Sequence, residues 1–265
     1  MKKTYQSTLH FETKPKDSFE EVRRLIEKSD LDEAFDLIKD DDSAEALKIK
    51  SDIKLCQKDY ESAVGYLDDA LAIEEDSDIL KRKADVLYMW AKVTYFPEAN
   101  FDKALNIINQ ALEISDAGED SLEYWFLKGE IYQSQERHID ARRCFLKAEQ
   151  RLDELQRLED ELDLFEAHRN DTLINITGVN FYRGIEVFEP GVTLKLIRDT
   201  ENEHDPDAVA CLLDGEIVGY VANSEYTLIN GVKSATDIRA MLSDESSAEV
   251  LFVFQREFVI ARLKN

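Results

Sequence analysis

Apolar and small side chains recur at helical spacing through the first part of the chain. Ala63, Leu67 and Ala70 form one set, Ala104, Ile108 and Ala111 a second, and Ala141, Phe145 and Ala148 a third. Offsets of four and then three residues put each set on one helix face. The small residues at both ends let a neighbouring helix come close. A six-membered ring stands three residues before two of the sets, at Tyr60 and Phe101, and His138 takes that place in the third. An apolar-striped helix is predicted before each of them, over about 44–56, 78–95 and 122–134. Ala63 to Ala104 is 41 residues and Ala104 to Ala141 is 37, a period that predicts stacked helical hairpins. Residues 18–39, with Leu31, Ala34 and Ile38, read as a degenerate first copy. Residues 151–170 continue as a helix with Leu152, Leu155, Leu158, Leu162 and Phe165 on one side and seven acids and three arginines elsewhere. Such a polar-backed helix is expected to cap the stack.

Past residue 170 the period drops to two. Strands are predicted over 173–176, 192–198, 208–213, 216–221, 250–254 and 258–263. Asp214-Gly215 joins two of them and is a strong hairpin signal. Gly178 to Gly184 is a glycine-bounded aromatic turn, in which at least one of Phe181 and Tyr182 is expected to point inward; 199–207 is a polar loop. Residues 224–230 and 234–242 read as short helices, with Gly231 as a stop and Ser234 and Asp237 forming a capping box. Six short strands in about 90 residues predict a small barrel. The expected architecture is therefore a helical-repeat domain over 1–170 and a β-barrel domain over 171–265.

Composition agrees with this division. Six of the nine glycines lie in the last 95 residues. The chain has 265 residues and a formal charge of −24. Residues 171–265 hold 8 basic against 16 acidic side chains, net −8, and the remainder holds 25 against 41, net −16. A chain this acidic repels nucleic acid at long range, so any nucleic-acid role must be local. No apolar run approaches the roughly 18 residues a membrane helix needs. Residues 1–7 have no apolar segment behind their lysines, so no signal peptide is expected. Cys56, Cys144 and Cys211 are isolated and odd in number, which predicts a reducing, cytoplasmic setting. His10, His138, His168 and His204 share no metal spacing, and no nucleotide, hydrolase or zinc motif is present. No cofactor, metal or catalytic centre is expected.

The order Trp125, Gly129, Tyr132, Ala141, Phe145, Ala148 resembles the tetratricopeptide repeat. The likeness is partial over 44–74, where Leu47 and Ser51 replace the tryptophan and glycine, and stretched over 78–115. It implies three to four repeats whose groove holds a protein partner. Arg137, Arg142 and Arg143, with Lys81, Arg82 and Lys83, are the densest basic points.

In the second half, Asn180-Phe181-Tyr182-Arg183-Gly184 is followed by Leu194-x-Leu196-x-Arg198-x3-Asn202-x2-Asp205-x2-Ala208-Val209 and then Gly219-Tyr220-Val221. This order resembles a HIRAN domain, a module that implies binding of single-stranded DNA 3′ ends. The resemblance makes Phe181 the stacking residue and Tyr182 its neighbour. It puts Asn202, His204 and Asp205 in the terminal-nucleotide loop, with Asp205 accepting from the 3′-hydroxyl, and brings Tyr220 to the last phosphate. DNA-binding members carry an arginine where Asn180 stands and an aromatic where His204 stands; Arg183, Lys195 and Arg198 are the nearby cations. The chemistry is coherent. Bases stack on aromatic faces for about 1–3 kcal/mol each, and a carboxylate accepts from a terminal hydroxyl while repelling a further phosphate. Asn202 and Asp205 are equally good turn formers. The expectation is a non-enzymatic adaptor joining a protein partner to a DNA end. The alternatives are a pure protein scaffold and a nucleotide-sensing regulator.

Overall fold

A computed structural model describes residues 17–114 and 121–264; His10 and residues 1–7 lie outside the described residues. The chain forms two compact units, 1–151 and 152–265.

The first unit is built from helical hairpins. Its helices are α1 (Asp17–Glu27), α2 (Leu31–Ile38), α3 (Ala44–Cys56), α4 (Tyr60–Ile73), α5 (Ser77–Tyr95), α6 (Phe101–Ile114), α7 (Ser121–Ser134) and α8 (His138–Ala148). The small–large–small positions of α4 and α6, Ala63, Leu67 and Ala70 and then Ala104, Ile108 and Ala111, are fully buried. They share one core with Leu87 and Ala91 of α5 and Leu127 and Ile131 of α7. Gly129 on α7 lies under the Phe145 ring of α8; a Cβ there would sit 2.6 Å from Phe145 Cε1. The glycine of the repeat pattern is thus a contact requirement between paired helices. The extra residues near Trp90 extend α5 to 19 residues. Inside each hairpin the chain turns through one left-handed residue, Ser29, Lys58, Ala99 or Glu136.

The second unit begins with α9 (Leu152–Ala167) and continues with β1 (Leu173–Thr177), β2 (Thr193–Arg198), β3 (Val209–Leu213), β4 (Glu216–Val221), α10 (Ala235–Arg239), β5 (Ser247–Phe254) and β6 (Phe258–Lys264). The strands close a barrel in the order β1-β4-β3-β2-β5-β6, each pair antiparallel. β5 alternates half-buried and buried along all eight residues, and its inward Ala248 and Val250 join Ile174, Leu194, Val209, Val218 and Val259 in the core. Asp214 and Gly215 both have positive φ, as a two-residue hairpin requires. Ser234 and Asp237 close a reciprocal capping box on α10.

Three sequence expectations change. The helix at 151–170, expected to cap the repeats within a 1–170 domain, falls in the same compact unit as the barrel. Phe165 packs edge-on against Phe252 and Phe254, with ring centroids 5.0 and 5.1 Å apart. Glu161 Oε2 accepts from the Gln255 backbone N–H at 2.9 Å. Residues 224–230 form turns, because the fully buried Asn175 takes their backbone groups out of helical pairing: its Nδ2 donates to Thr227 O at 2.9 Å and its Oδ1 accepts from Ile229 N. Neither Phe181 nor Tyr182 points inward; the buried residue of that turn is Val179.

Candidate nucleic-acid interface

The site grows from the end of β1. Gly178 takes a left-handed φ of 75° and starts a one-turn 3-10 helix, Val179–Phe181. Val179 drops into the barrel core, and the next three side chains, Asn180, Phe181 and Tyr182, are exposed. Phe181 is 91% exposed and Tyr182 43% exposed. Gly219 makes this possible. On β4 it passes so close to β1 that a Cβ would meet Ile176 Cγ2 at 2.7 Å, Thr177 O at 2.9 Å and Val179 Cγ1 at 3.3 Å. The next residue, Tyr220, pairs with Thr177 on one side and Ala210 on the other. Its ring lies 6.1 Å from that of Tyr182, at 47°.

Tyr220 opens onto a cleft of about 400 Å³ lined also by Thr177, Asn202, His204, Asp205, Asn223 and Thr227. Hydrogen bonds fix its floor. Tyr220 Oη donates to Asp199 Oδ2 at 2.8 Å, and Asn202 Nδ2 donates to the same oxygen at 3.3 Å. Asn202 Oδ1 accepts from the backbone N–H groups of His204 and Asp205, each at 3.0 Å. Asp205 Oδ1 accepts from Asp207 N, and its Oδ2 accepts from Asn223 Nδ2, both at 2.9 Å. Asn223 Oδ1 in turn accepts from Thr236 N at the start of α10. Asp207 on the same loop pairs with Arg239 of α10. Asn202 and Asp205 therefore serve as turn formers and as cleft-lining groups at once. Each carboxylate oxygen of Asp205 keeps a second lone pair.

The electrostatics favour a neutral donor at this point. The hydroxyls and amides that bond Asp199, Tyr220 first and Asn202 second, hold its carboxyl below the usual range. Burial, reinforced by the bond to Asp199, pushes the Tyr220 phenol up. At neutral pH the pair is a phenol donating to a carboxylate. Asp199 and Asp205 lie on one loop and put two carboxylates in the hydrogen-bonded set around Tyr220 and Asn202.

The predicted residues fall into three groups. Asn202, His204, Asp205 and Tyr220 meet in the cleft. Tyr182 is exposed with its ring 6.1 Å from that of Tyr220, and Phe181 and Asn180 are exposed on the same turn. The arginines are elsewhere. Arg183 Nη1 faces Glu216 at 3.9 Å and Asp214 at 4.0 Å. Arg198 Nη2 donates to Leu242 O at 2.6 Å, and with Lys195 it lines a separate hollow near Ser243 and Asp244. Sequence reasoning did not single out Asp199, Asn223, Thr227 or the buried Asn175. Asp199 directly follows Arg198 and precedes Asn202 by three residues, an Asx-rich spacing that could have marked it.

Residues 170–229 match the family model of the HIRAN domain, a span that includes Phe181, Tyr182, Asp199, Asn202, Asp205 and Tyr220. No curated protein matches the chain. Among solved structures it is similar to a crystal structure of MamA, with 18% identity over 53% of this chain and 79% of that chain, at a TM-score of 0.37. A second likeness is to MamA from Desulfovibrio magneticus RS-1, with 17% identity over 54% and 94% and a TM-score of 0.29. A third is to a protein from Lactobacillus plantarum, with 16% identity over 35% and 88% and a TM-score of 0.26. The chain thus carries a HIRAN domain at 170–229, behind a region of helical hairpins.

Proposed function

We propose that the protein is a non-enzymatic adaptor whose helical hairpins hold a protein partner and whose barrel binds the 3′ end of single-stranded DNA. A HIRAN domain suggests DNA binding, and tetratricopeptide-like hairpins suggest a protein partner. The observation that carries the end-binding reading is the wired cleft. Tyr220, Asp199, Asn202, Asp205 and Asn223 form one hydrogen-bonded chain around an open hollow, and a 91% exposed phenylalanine precedes Tyr182, whose ring lies 6.1 Å from that of Tyr220. An exposed ring offers a stacking face to any base. The free lone pairs of Asp205 offer an acceptor to a terminal hydroxyl, and the same charge rejects a strand that continues through a phosphate.

The test is fluorescence anisotropy with a 3′-hydroxyl oligonucleotide and the same oligonucleotide ending in a 3′-phosphate. The hydroxyl end binds more tightly, and Asp205→Ala removes the difference. Equal weak binding of both ends, unaffected by Asp205→Ala, contradicts the proposal.

One observation favours a second reading, a protein scaffold whose barrel takes no nucleic acid. Arg183 faces two carboxylates and Arg198 donates to a backbone carbonyl away from the cleft, so phosphate contacts would have to compete with groups already in place. A protein retrieved in pull-down, together with no oligonucleotide binding at low salt, supports that reading.

A further inference from the structure

The turn over 224–230 carries an aromatic side chain to which the sequence reading gave no role. Tyr226 is 89% exposed, yet the turn beneath it is firmly built. Thr227 N donates to Ser224 O at 3.1 Å, and the two side-chain hydroxyls lie 3.0 Å apart. Asn175, fully buried on β1, holds Thr227 O and Ile229 N from below. A rigid loop that exposes a large ring loses the apolar burial such a ring could gain, and nothing in its packing requires a ring there.

Its position relates it to the cleft. Ser224 and Thr227, on either side of Glu225 and Tyr226, both line that hollow. Along β1, Asn175 anchors Thr227 while Thr177, two residues on, pairs with Tyr220. Two residues of strand span about 7 Å. Tyr220, with the Tyr182 ring 6.1 Å away, therefore lines the cleft beside Thr177, and the turn that carries Tyr226 borders the cleft at Ser224 and Thr227.

We infer that Tyr226 is a second stacking residue, taking the base next to the terminal nucleotide of a single strand whose 3′ end occupies the cleft. This rests on the end-binding reading above and adds a second nucleotide to it. Stacking on a tyrosine face is indifferent to base identity, so the second position contributes affinity without sequence preference.

The experiment uses the full chain and a 5′-labelled hexamer with a free 3′-hydroxyl, alongside the same hexamer with an abasic residue at the penultimate position. Loss of one stacked base weakens binding about 5- to 150-fold. Tyr226→Ala shows that loss on the intact hexamer, Tyr226→Phe does not, and wild type and Tyr226→Ala bind the abasic hexamer equally. The exposed side chain can be truncated without loss of packing, so Tyr226→Ala folds as wild type does. If Tyr226→Ala binds the intact hexamer as wild type does while Phe181→Ala is impaired, or if it loses the same factor on the abasic hexamer, the inference is wrong and the end-binding reading stands. If the wild type binds neither hexamer, both fall.

Discussion

Gly219 fixes the geometry on which the cleft depends. Any Cβ at this position meets the backbone carbonyl of Thr177 as well as two apolar side chains. A carbonyl held in a barrel ladder cannot swing aside as the end of a long side chain can, so the strands must part. Gly219→Ala is therefore expected to destabilise the barrel by roughly 1–3 kcal/mol, read by chemical denaturation. It should also displace Tyr220 and weaken any binding that uses the cleft. At this scale much of the site was legible: the glycine, tyrosine, asparagine and aspartate stand in a recognisable order. Where the arginines point was not. Arg198 is outward on an alternating strand by sequence, but its partner, Leu242 O, lies 44 residues away and no local pattern announces it. Asn175 was hidden for a similar reason. It sits in a run of β-branched and leucine residues, and its partners lie more than fifty residues on.

Elements are held by pairs across the sheet and by what each helix packs against. Glu249 on β5 lies opposite Arg262 on β6. It bonds Lys264 at 2.8 Å and Arg262 at 2.7 Å, and Arg262 reaches on to Asp171. These cations, Lys264 first, lower the Glu249 carboxyl from 4.5 to about 2. A lowered folded-state pKa means stability that is complete above the ordinary carboxylate pKa and is lost as the pH falls toward the folded one. Glu249→Gln should lower the melting temperature at pH 7. It should also show a smaller fall than wild type between pH 4.5 and 2. A parallel fall in both proteins would remove Glu249 from the account. The side of α9 is a second matter of elements. Its leucine stripe and acidic back suit the end of a helical stack, and sequence cannot say which apolar surface the stripe meets. The Phe165 ring answers that by packing edge-on between Phe252 and Phe254. Phe165→Ala should destabilise the barrel unit by about 2 kcal/mol and leave the helices of 17–148 unchanged, as read by hydrogen exchange. Protection lost from α7 and α8 instead would mean that the helix serves the repeats. The hairpin turns were also unreadable. Their left-handed positions are held by Ser29, Lys58, Ala99 and Glu136, without the glycine or asparagine that normally marks them.

For the whole molecule, charge is the governing constraint. A net −24 gives no long-range attraction for a polyanion, and the cleft itself presents carboxylates. On the proposed function, affinity for a strand end has to come from stacked bases and a hydroxyl bonded to Asp205, with few phosphates neutralised. Two architectures in one chain were evident from sequence because their periods differ, 3.6 against 2, and because glycine gathers in the second part. Where one unit ends was less evident, since α9 reads as helix whichever side it joins. The most direct measurement is the set of amide shifts induced in the full chain by a single-stranded oligonucleotide with a free 3′-hydroxyl. Binding of the strand end in the cleft predicts changes concentrated at Thr177, Phe181 and Tyr182, over 199–208, and from Tyr220 to Ile229, with little change at Lys195, Ser243 and Asp244. Shifts centred on the Lys195 hollow, or none at saturating oligonucleotide, would contradict it.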